Sequence, residues 1–486
     1  MTDTTTCDVV VIGAGASGLT AAADLRAAGL DVVVLEARDR VGGRLRTETI
    51  DGAMLELGGQ WVSPDQTALI ATLGELGLET YSRWREGESV YVSADGTASR
   101  FTGDIFPASE HTQAEIERLI VVMDELVAET DVAAPWEHPR AAELDHVSFS
   151  AWLEQQSDDA EARANIALFI ADAMLTKPAH SFSLLQALQM ASSAGSFSNL
   201  VDADFILDKR VVGGLQRVPL TLAEKLGDAV RLGQPVETLD WSADGVVAST
   251  PELRVAARWA VVAVPPNLYS RIEYLPALPA LRQQWHQHVS LGLVIKVHAV
   301  YETPFWRDAG LSGTAFSPYQ VVHEAYDNSN HGDPRGTLVG FVSDEKADRL
   351  LALPADERRA AILASLASYY GEQATEPVVY FESDWASDEW TGGAYATSFD
   401  LGGLSRWGHD QRVPVGPIRF SSSDIAAEGF QHVDGAIRVG HDVAAEILAE
   451  RDAQGGPAVQ AESTGQPEHV EHVEHVENAD TGAAVS

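Results

Sequence analysis

The sequence predicts an α/β protein of two parts: a dinucleotide-binding unit on a parallel sheet, and a second layer of helices and mixed sheet inserted into it. Three observations carry that prediction. The chain opens on strand, glycine-rich turn, helix, strand and acid in register; helical periodicity takes over after about residue 83; and the continuous apolar run Ala260-Val261-Val262-Ala263-Val264-Pro265-Pro266, of buried parallel-sheet character, follows later.

The opening unit reads as strand Val9 to Ile12, turn Gly13-Ala14-Gly15-Ala16-Ser17-Gly18, helix Leu19 to Ala28, strand Val32 to Leu35, then Glu36. The three glycines have different physical roles, since Gly13 permits the tight turn, Gly15 lets a pyrophosphate approach the backbone, and Gly18 lets helix and strand pack closely. The helix N-terminus offers free N–H groups and a positive dipole end to phosphate. Glu36 follows at about the twenty-residue separation where a carboxylate accepts from ribose hydroxyls, favouring an unphosphorylated ribose.

Further glycine pairs at Gly42-Gly43 and Gly58-Gly59 suggest more close backbone approaches to one large ligand. From about residue 83 Ile116, Leu119, Ile120, Met123 and Leu126 follow helical spacing, and helices are expected to about Ala194. Val294 to Tyr301, Gln320 to Tyr326 and Gly336 to Val342 read as strands of a mixed sheet, Ala355 to Tyr370 as a helix, and Val443 to Glu450 as a last helix. Beyond Arg451 the composition collapses into Gly, Pro, Ala, Glu and His, with a His-Val-Glu repeat from His469 to Glu477, and reads as a disordered tail. His469, His472 and His475 lack a scaffold that would make them a strong metal site.

Among the 486 residues, 45% are hydrophobic, enough for a full core, and 72 acidic against 33 basic residues give a formal net charge of -39. That charge argues against nucleic acid or anionic membrane as a partner and attracts cations; solubility is its alternative cause. One cysteine, Cys7, excludes an intramolecular disulfide. The absence of a basic leader or long apolar stretch is read as a cytoplasmic protein without a membrane span.

The runs Gly13 to Gly18, Glu36-Ala37-Arg38-Asp39-Arg40-Val41-Gly42-Gly43-Arg44 and Gly58-Gly59-Gln60-Trp61 resemble the FAD-binding opening of the flavin amine oxidases. The resemblance extends from Val9 to Glu450, through Gly213-Gly214-Leu215, Pro304-Phe305-Trp306 and Gly392-Gly393-Ala394-Tyr395. It implies a two-domain flavin amine oxidase architecture, a Rossmann-like FAD domain plus a substrate domain of mixed β-sheet and helices. The implied FAD domain is discontinuous, 1–82, 207–290 and 391–451, with 83–206 and 291–390 binding substrate and 452–486 as tail. Glu36 would then hold the adenosine ribose, Arg38 and Arg44 would approach the diphosphate, Val236 would meet the adenine edge through its backbone, and Gly43 would also belong to the cofactor site. Gly58, Gly59 and Gln60 would lie beside the isoalloxazine, with Asp424 and the Val433 amide near its ribityl and pyrimidine end. Relatives with covalent flavin carry cysteine where Ala394 stands, so a noncovalent FAD is implied, and relatives also suggest a homodimer.

Amine oxidation moves a hydride equivalent from the α-carbon to flavin, leaving the protein to orient a neutral amine. In the resemblance Tyr395 is one wall of an aromatic cage and His432 takes the opposite wall, as proton acceptor or as a supporting histidine. Lys296 lies in the apolar strand Leu293-Val294-Ile295-Lys296-Val297, where the family places a lysine that assists reoxidation or imine hydrolysis. The alternative is a strand-edge lysine reaching solvent. Glu324 stands where the family's cavity is usually aromatic or apolar, and a carboxylate there suits a distal ammonium, with Asp202 and Asp204 as weaker contributors. The implied reaction converts a primary diamine, putrescine, with oxygen and water to 4-aminobutanal, ammonia and hydrogen peroxide. Alternatives are a monoamine, tyramine or other polyamine oxidase, and a non-catalytic flavin-binding regulatory protein. His286 and His288 read as alternate residues of a strand, without a third metal ligand, and so as ordinary polar histidines.

Overall fold

The computed structural model describes residues 4–103 and 106–454. The opening unit forms as strand Thr4–Ile12, helix Ala16–Ala27 and strand Val32–Leu35. Valines fill both strands because both faces are covered, and Val9, Val10, Val11 and Val34 are fully buried. Thr4–Ile12 lies at the centre of an eight-stranded sheet, parallel to Val32–Leu35 on one side and to Arg254–Val262 on the other. Thr4 therefore pairs with Arg254, two hundred and fifty residues later, and the strand Ile418–Phe420 joins the sheet from later still.

A second, seven-stranded sheet runs in the order Val379–Asp384, Val294–Tyr301, Gly336–Ser343, Glu324–Asp327, Leu311–Phe316, Glu88–Val92, Ala98–Phe101. Its central pairings are antiparallel and in continuous register, Lys296 opposite Phe341 and Phe341 opposite Glu324. The helical stretch from Glu110 to Ile206 packs against it, Asn165 donating to the Tyr91 hydroxyl and the helix Leu168–Leu175 touching Gly336–Ser343.

Several elements depart from the sequence reading. The stretch after residue 83 begins with the two strands Glu88–Val92 and Ala98–Phe101, which complete the sheet edge before the first helix, Glu110–Ala128. The expected strand Gln320 to Tyr326 narrows to Glu324–Asp327, because Ser317 accepts from the Tyr319 and Gln320 amides and turns the chain. His286 ends the helix Ala280–His286 and His288 lies between it and the strand Val289–Leu291, so the two do not share a strand face. The last helix runs from Val433 to Ala453, ten residues earlier than expected. Gly435 lies within this helix as a packing residue: a Cβ there would sit 2.3 Å from the Gly429 carbonyl. The same helix carries the chain past Arg451, where the tail was expected to begin, and His469, His472 and His475 lie outside the described residues. Among the described residues no helix is long and apolar enough to cross a membrane, and no cluster of three or more His, Cys, Asp or Glu side chains could hold a metal.

Candidate active site

One continuous cavity runs from the opening glycine turn to the face of the second sheet. At its first end the three glycines divide their work. Gly13 has φ +108°, and a Cβ on it would meet the Ala263 carbonyl at 2.7 Å; on Gly18 it would meet the Gly13 carbonyl at 2.2 Å. Gly15 differs: no protein atom lies within 4 Å of its Cβ position, and it faces the cavity. Two glycines thus serve the fold, and the third leaves room for a ligand. Glu36 turns its carboxylate toward this end, where it accepts from the amides of Ala14 at 2.7 Å and Arg38 at 2.9 Å.

Arg38 borders the cavity and is fixed by Asp388 and by Thr391 at 2.6 Å, while its buried Nε has no protein partner among the described residues. Arg44 donates to the Tyr395 carbonyl at 2.6 Å and pairs with Asp424. Burial alone would raise the Asp424 carboxyl; Arg44, Ser422 and the Thr397 amide hold it below the usual carboxylate range. Asp424 itself stands behind the cavity wall formed by Arg44, Ser422 and Ser423. Gly43, Gly58, Gly59, Gln60, Val236 and Val433 all line the cavity. Val433 begins the final helix, whose positive dipole end therefore faces inward.

Lys296 is not at a strand edge: Val294–Tyr301 is paired on both sides, and the side chain is 3% exposed. Its Nζ donates to the carbonyls of Glu56 and Gly58, both at 2.7 Å, and to Gln60 Oε1 at 2.6 Å. Burial pulls its pKa down to about 7, with nearby Arg210 acting the same way and Glu56 opposing. Three acceptors match the three protons of an ammonium and hold the lysine in one position, while burial works against them and makes the charge easier to remove.

Glu324 is 6% exposed and lines the cavity. The Tyr326 hydroxyl donates to its Oε2 at 2.9 Å, and His323 Nε2 lies 3.7 Å from Oε1; among the described residues no lysine or arginine pairs with it. Strand register places Glu324 and Lys296 on one sheet face with Phe341 between them, two strand spacings or about 10 Å apart. Tyr395 packs edge-on to Phe341 with centroids 6.3 Å apart, and burial followed by the Glu324 charge keeps its phenol protonated. His432 Nδ1 lies 2.9 Å from the Phe430 carbonyl, which assigns the ring proton to Nδ1 and leaves Nε2 as an acceptor; burial lowers its pKa. Asp202 and Asp204 play other parts: Asp202 caps the helix Ala203–Ile206, and Asp204 pairs with Arg83 and Arg85.

A family model described as flavin containing amine oxidoreductase matches residues 16–448. The chain belongs to that family. It is 63% identical over 453 residues to putrescine oxidase of Kocuria rosea, covering 91% of this chain and 95% of that protein. A solved structure of wild-type putrescine oxidase bound to putrescine matches with a TM-score of 0.91 and 64% identity, over 92% of this chain and all of that one. Cyclohexylamine oxidase from Brevibacterium oxydans IH-35A matches at 30% identity with a TM-score of 0.88, over 92% of this chain and 99% of that one.

The cavity of this flavin amine oxidase fits an FAD by its own features: the open space at Gly15, the unpartnered Arg38 Nε, the inward helix terminus at Val433, and a glycine floor at Gly58 and Gly59. Sequence reasoning missed Tyr326, Phe341 and Trp61, which also wall the substrate end. Tyr326 was within reach, since it is two residues from Glu324 on one strand face. Phe341 becomes visible only through strand register. The buried pair of Arg210 with Glu56, at 2.5 Å, was also unforeseen; it holds the strand whose carbonyl receives Lys296.

Proposed function

We propose that the chain is an FAD-dependent putrescine oxidase, which converts the diamine, oxygen and water to 4-aminobutanal, ammonia and hydrogen peroxide. The observation that carries this reading is Glu324: a carboxylate buried in an aromatic cavity, with a tyrosine hydroxyl as its hydrogen-bond donor and no lysine or arginine paired with it among the described residues. Burying an unpaired charge is costly, and a substrate with a second ammonium supplies the missing partner. The similarity to a putrescine oxidase solved with putrescine supports the same choice.

When bound, FAD accepts the hydride equivalent and passes electrons to oxygen. Glu36, Arg38, Gly15 and Val236 would hold its adenosine diphosphate half, and Gly58, Gly59, Gln60 and Val433 its ring end. Ala394 offers no thiol, so the attachment is noncovalent. Around the reacting amine, Tyr395 supplies an aromatic wall and the neutral His432 an acceptor at Nε2. Lys296 holds the floor through Gly58 and Gln60 and, with a pKa of about 7, exchanges a proton near neutrality. Glu324 orients the distal ammonium, so that one end of the diamine stays charged while the other reacts as free amine.

Anaerobic titration of the flavin with putrescine, cadaverine, spermidine and tyramine tests the assignment. Putrescine should bleach the oxidised spectrum fastest; persistence of that spectrum with every amine would leave a flavin-binding module. The single cysteine and the acidic surface support a cytoplasmic enzyme without nucleic-acid partners, and a homodimer is the expected assembly, to be checked by sedimentation.

A further inference from the structure

Lys296 and Tyr395 face the same cavity but lie 99 residues apart in sequence, on separate stretches of chain. A third stretch joins them. The helix Leu168–Leu175 is π-wound, and Phe169, Ala173 and Met174 from it line the cavity. It ends at Thr176, whose amide turns back to the Ala171 carbonyl and whose backbone adopts φ +52°, a left-handed conformation that a β-branched residue rarely takes. Such strain persists only where surrounding contacts over-determine it.

Here they do. The Thr176 carbonyl accepts from the Leu293 amide at 3.0 Å, three residues before Lys296. The Thr176 hydroxyl lies 2.6 Å from the Ala394 carbonyl, immediately before Tyr395, with the Leu175 carbonyl at 2.8 Å as a second acceptor. The Ala394 amide donates to the Gly292 carbonyl at 3.2 Å, closing a triangle of hydrogen bonds among the three stretches. Gly292 is the residue that lets them meet, since a Cβ there would lie 2.0 Å from Thr176 Oγ1. The next residue repeats the pattern. Lys177 is buried, and its Nζ donates to Ser398 Oγ at 2.7 Å and to the Ser398 carbonyl at 3.2 Å, three residues after Tyr395. Thr176 is 1% exposed, and neither it nor Lys177 lines the cavity.

We infer that Thr176 and Lys177 form a clasp that sets the Tyr395 wall against the Lys296 strand, making them positioning residues for amine oxidation that touch neither substrate nor flavin. The clasp also links the π-wound turn to both, so a ligand pressing on Phe169 or Met174 acts on a segment hydrogen-bonded to the reacting end. The inference rests on the oxidase reading above.

Stopped-flow reduction of the holoenzyme flavin by putrescine separates the two claims. If wild type is not reduced, the oxidase reading fails. If wild type is reduced, Thr176→Val should lower the limiting reduction rate on the order of tenfold to a hundredfold, the range that small misplacements produce, with flavin content retained and KM nearly unchanged. Thr176→Ser, which keeps the hydroxyl, should recover most of the rate, a rescue that a loss of packing alone would not give. Reduction of Thr176→Val at the wild-type rate would overturn the clasp, as would equal impairment of the serine and valine variants. Should the valine variant yield no flavoprotein, Lys177→Met carries the test: severalfold slower reduction with an unchanged oxidised spectrum supports the clasp, and a wild-type rate overturns it.

Discussion

The two ends of the cavity are built by opposite strategies. At the glycine-turn end, Gly13, Gly15, Gly18 and Glu36 lie within one βαβ unit, and the cavity wall is shaped by backbone packing and the Glu36 carboxylate that the Ala14 amide holds. At the substrate end, Lys296, Glu324, Tyr395 and His432 come from four separate stretches and meet the cavity through side chains, the Lys296 amine having its pKa lowered by burial. At the first end Gly13 and Gly18 have no room for a side chain because backbone carbonyls close on them, while Gly15 stays open to the cavity. A generic cofactor grip can therefore be local and stiff, whereas selection among amines depends on long-range register.

The strongest way to break this contrast is at the stiff end. Gly18→Ala forces a Cβ to within 2.2 Å of the Gly13 carbonyl, and the expected outcome is near-complete loss of flavin from purified protein, read by absorbance. A flavin-replete Gly18→Ala enzyme would show that the turn yields more readily than its contacts imply. Next in size is Glu324→Ala: removing one partner of a buried charge pair is worth on the order of 2–5 kcal/mol, so kcat/KM for putrescine should fall by roughly 1.5 to 3.5 orders of magnitude. A monoamine of similar length should be spared, and equal losses on both would remove the distal-ammonium role.

Lys296→Met sharpens the electrostatic side. With the buried amine at about 7 in the fold and about 10.4 when unfolded, the unfolded chain binds the extra proton between those values, so this residue makes stability rise with pH across that window. Below about pH 7 both states are protonated and the burial penalty is fully present. The methionine variant should flatten the rise in Tm between about pH 7 and 10, and an unchanged slope would indicate that the three carbonyl and amide acceptors keep Lys296 charged. The smallest effect concerns long-range charge. Raising ionic strength from about 0.01 to 0.15 M should lower kcat/KM for the diamine severalfold if the acidic surface aids capture. A flat response would leave solubility as its role.

Much of the frame was legible in the chain. Val32–Leu35, Val294–Tyr301 and Ala355–Tyr370 fall where apolar patterning places them, since each pattern reports a locally buried face. Glu88–Val92 was not legible because it sits inside the sheet between the neighbouring strand Ala98–Phe101 and Leu311–Phe316, which lies more than two hundred residues away. For the site, residue types and resemblance named Lys296 and Glu324. Neither disclosed that Glu324 is buried against Tyr326, nor that Asp204 is already paired with arginines.

By itself the sequence determined the dinucleotide grip, from Gly13 to Glu36, because turn, helix start and acid are fixed by steric and hydrogen-bonding rules acting within one contiguous unit. Only the tertiary structure decided the substrate end. Antiparallel register put Lys296, Phe341 and Glu324 side by side, and a one-residue slip would have sent each side chain to the other face of the sheet. Burial, a property of the assembled layers and not of any segment, then lowered the lysine and left the carboxylate with a tyrosine hydroxyl in place of a lysine or arginine.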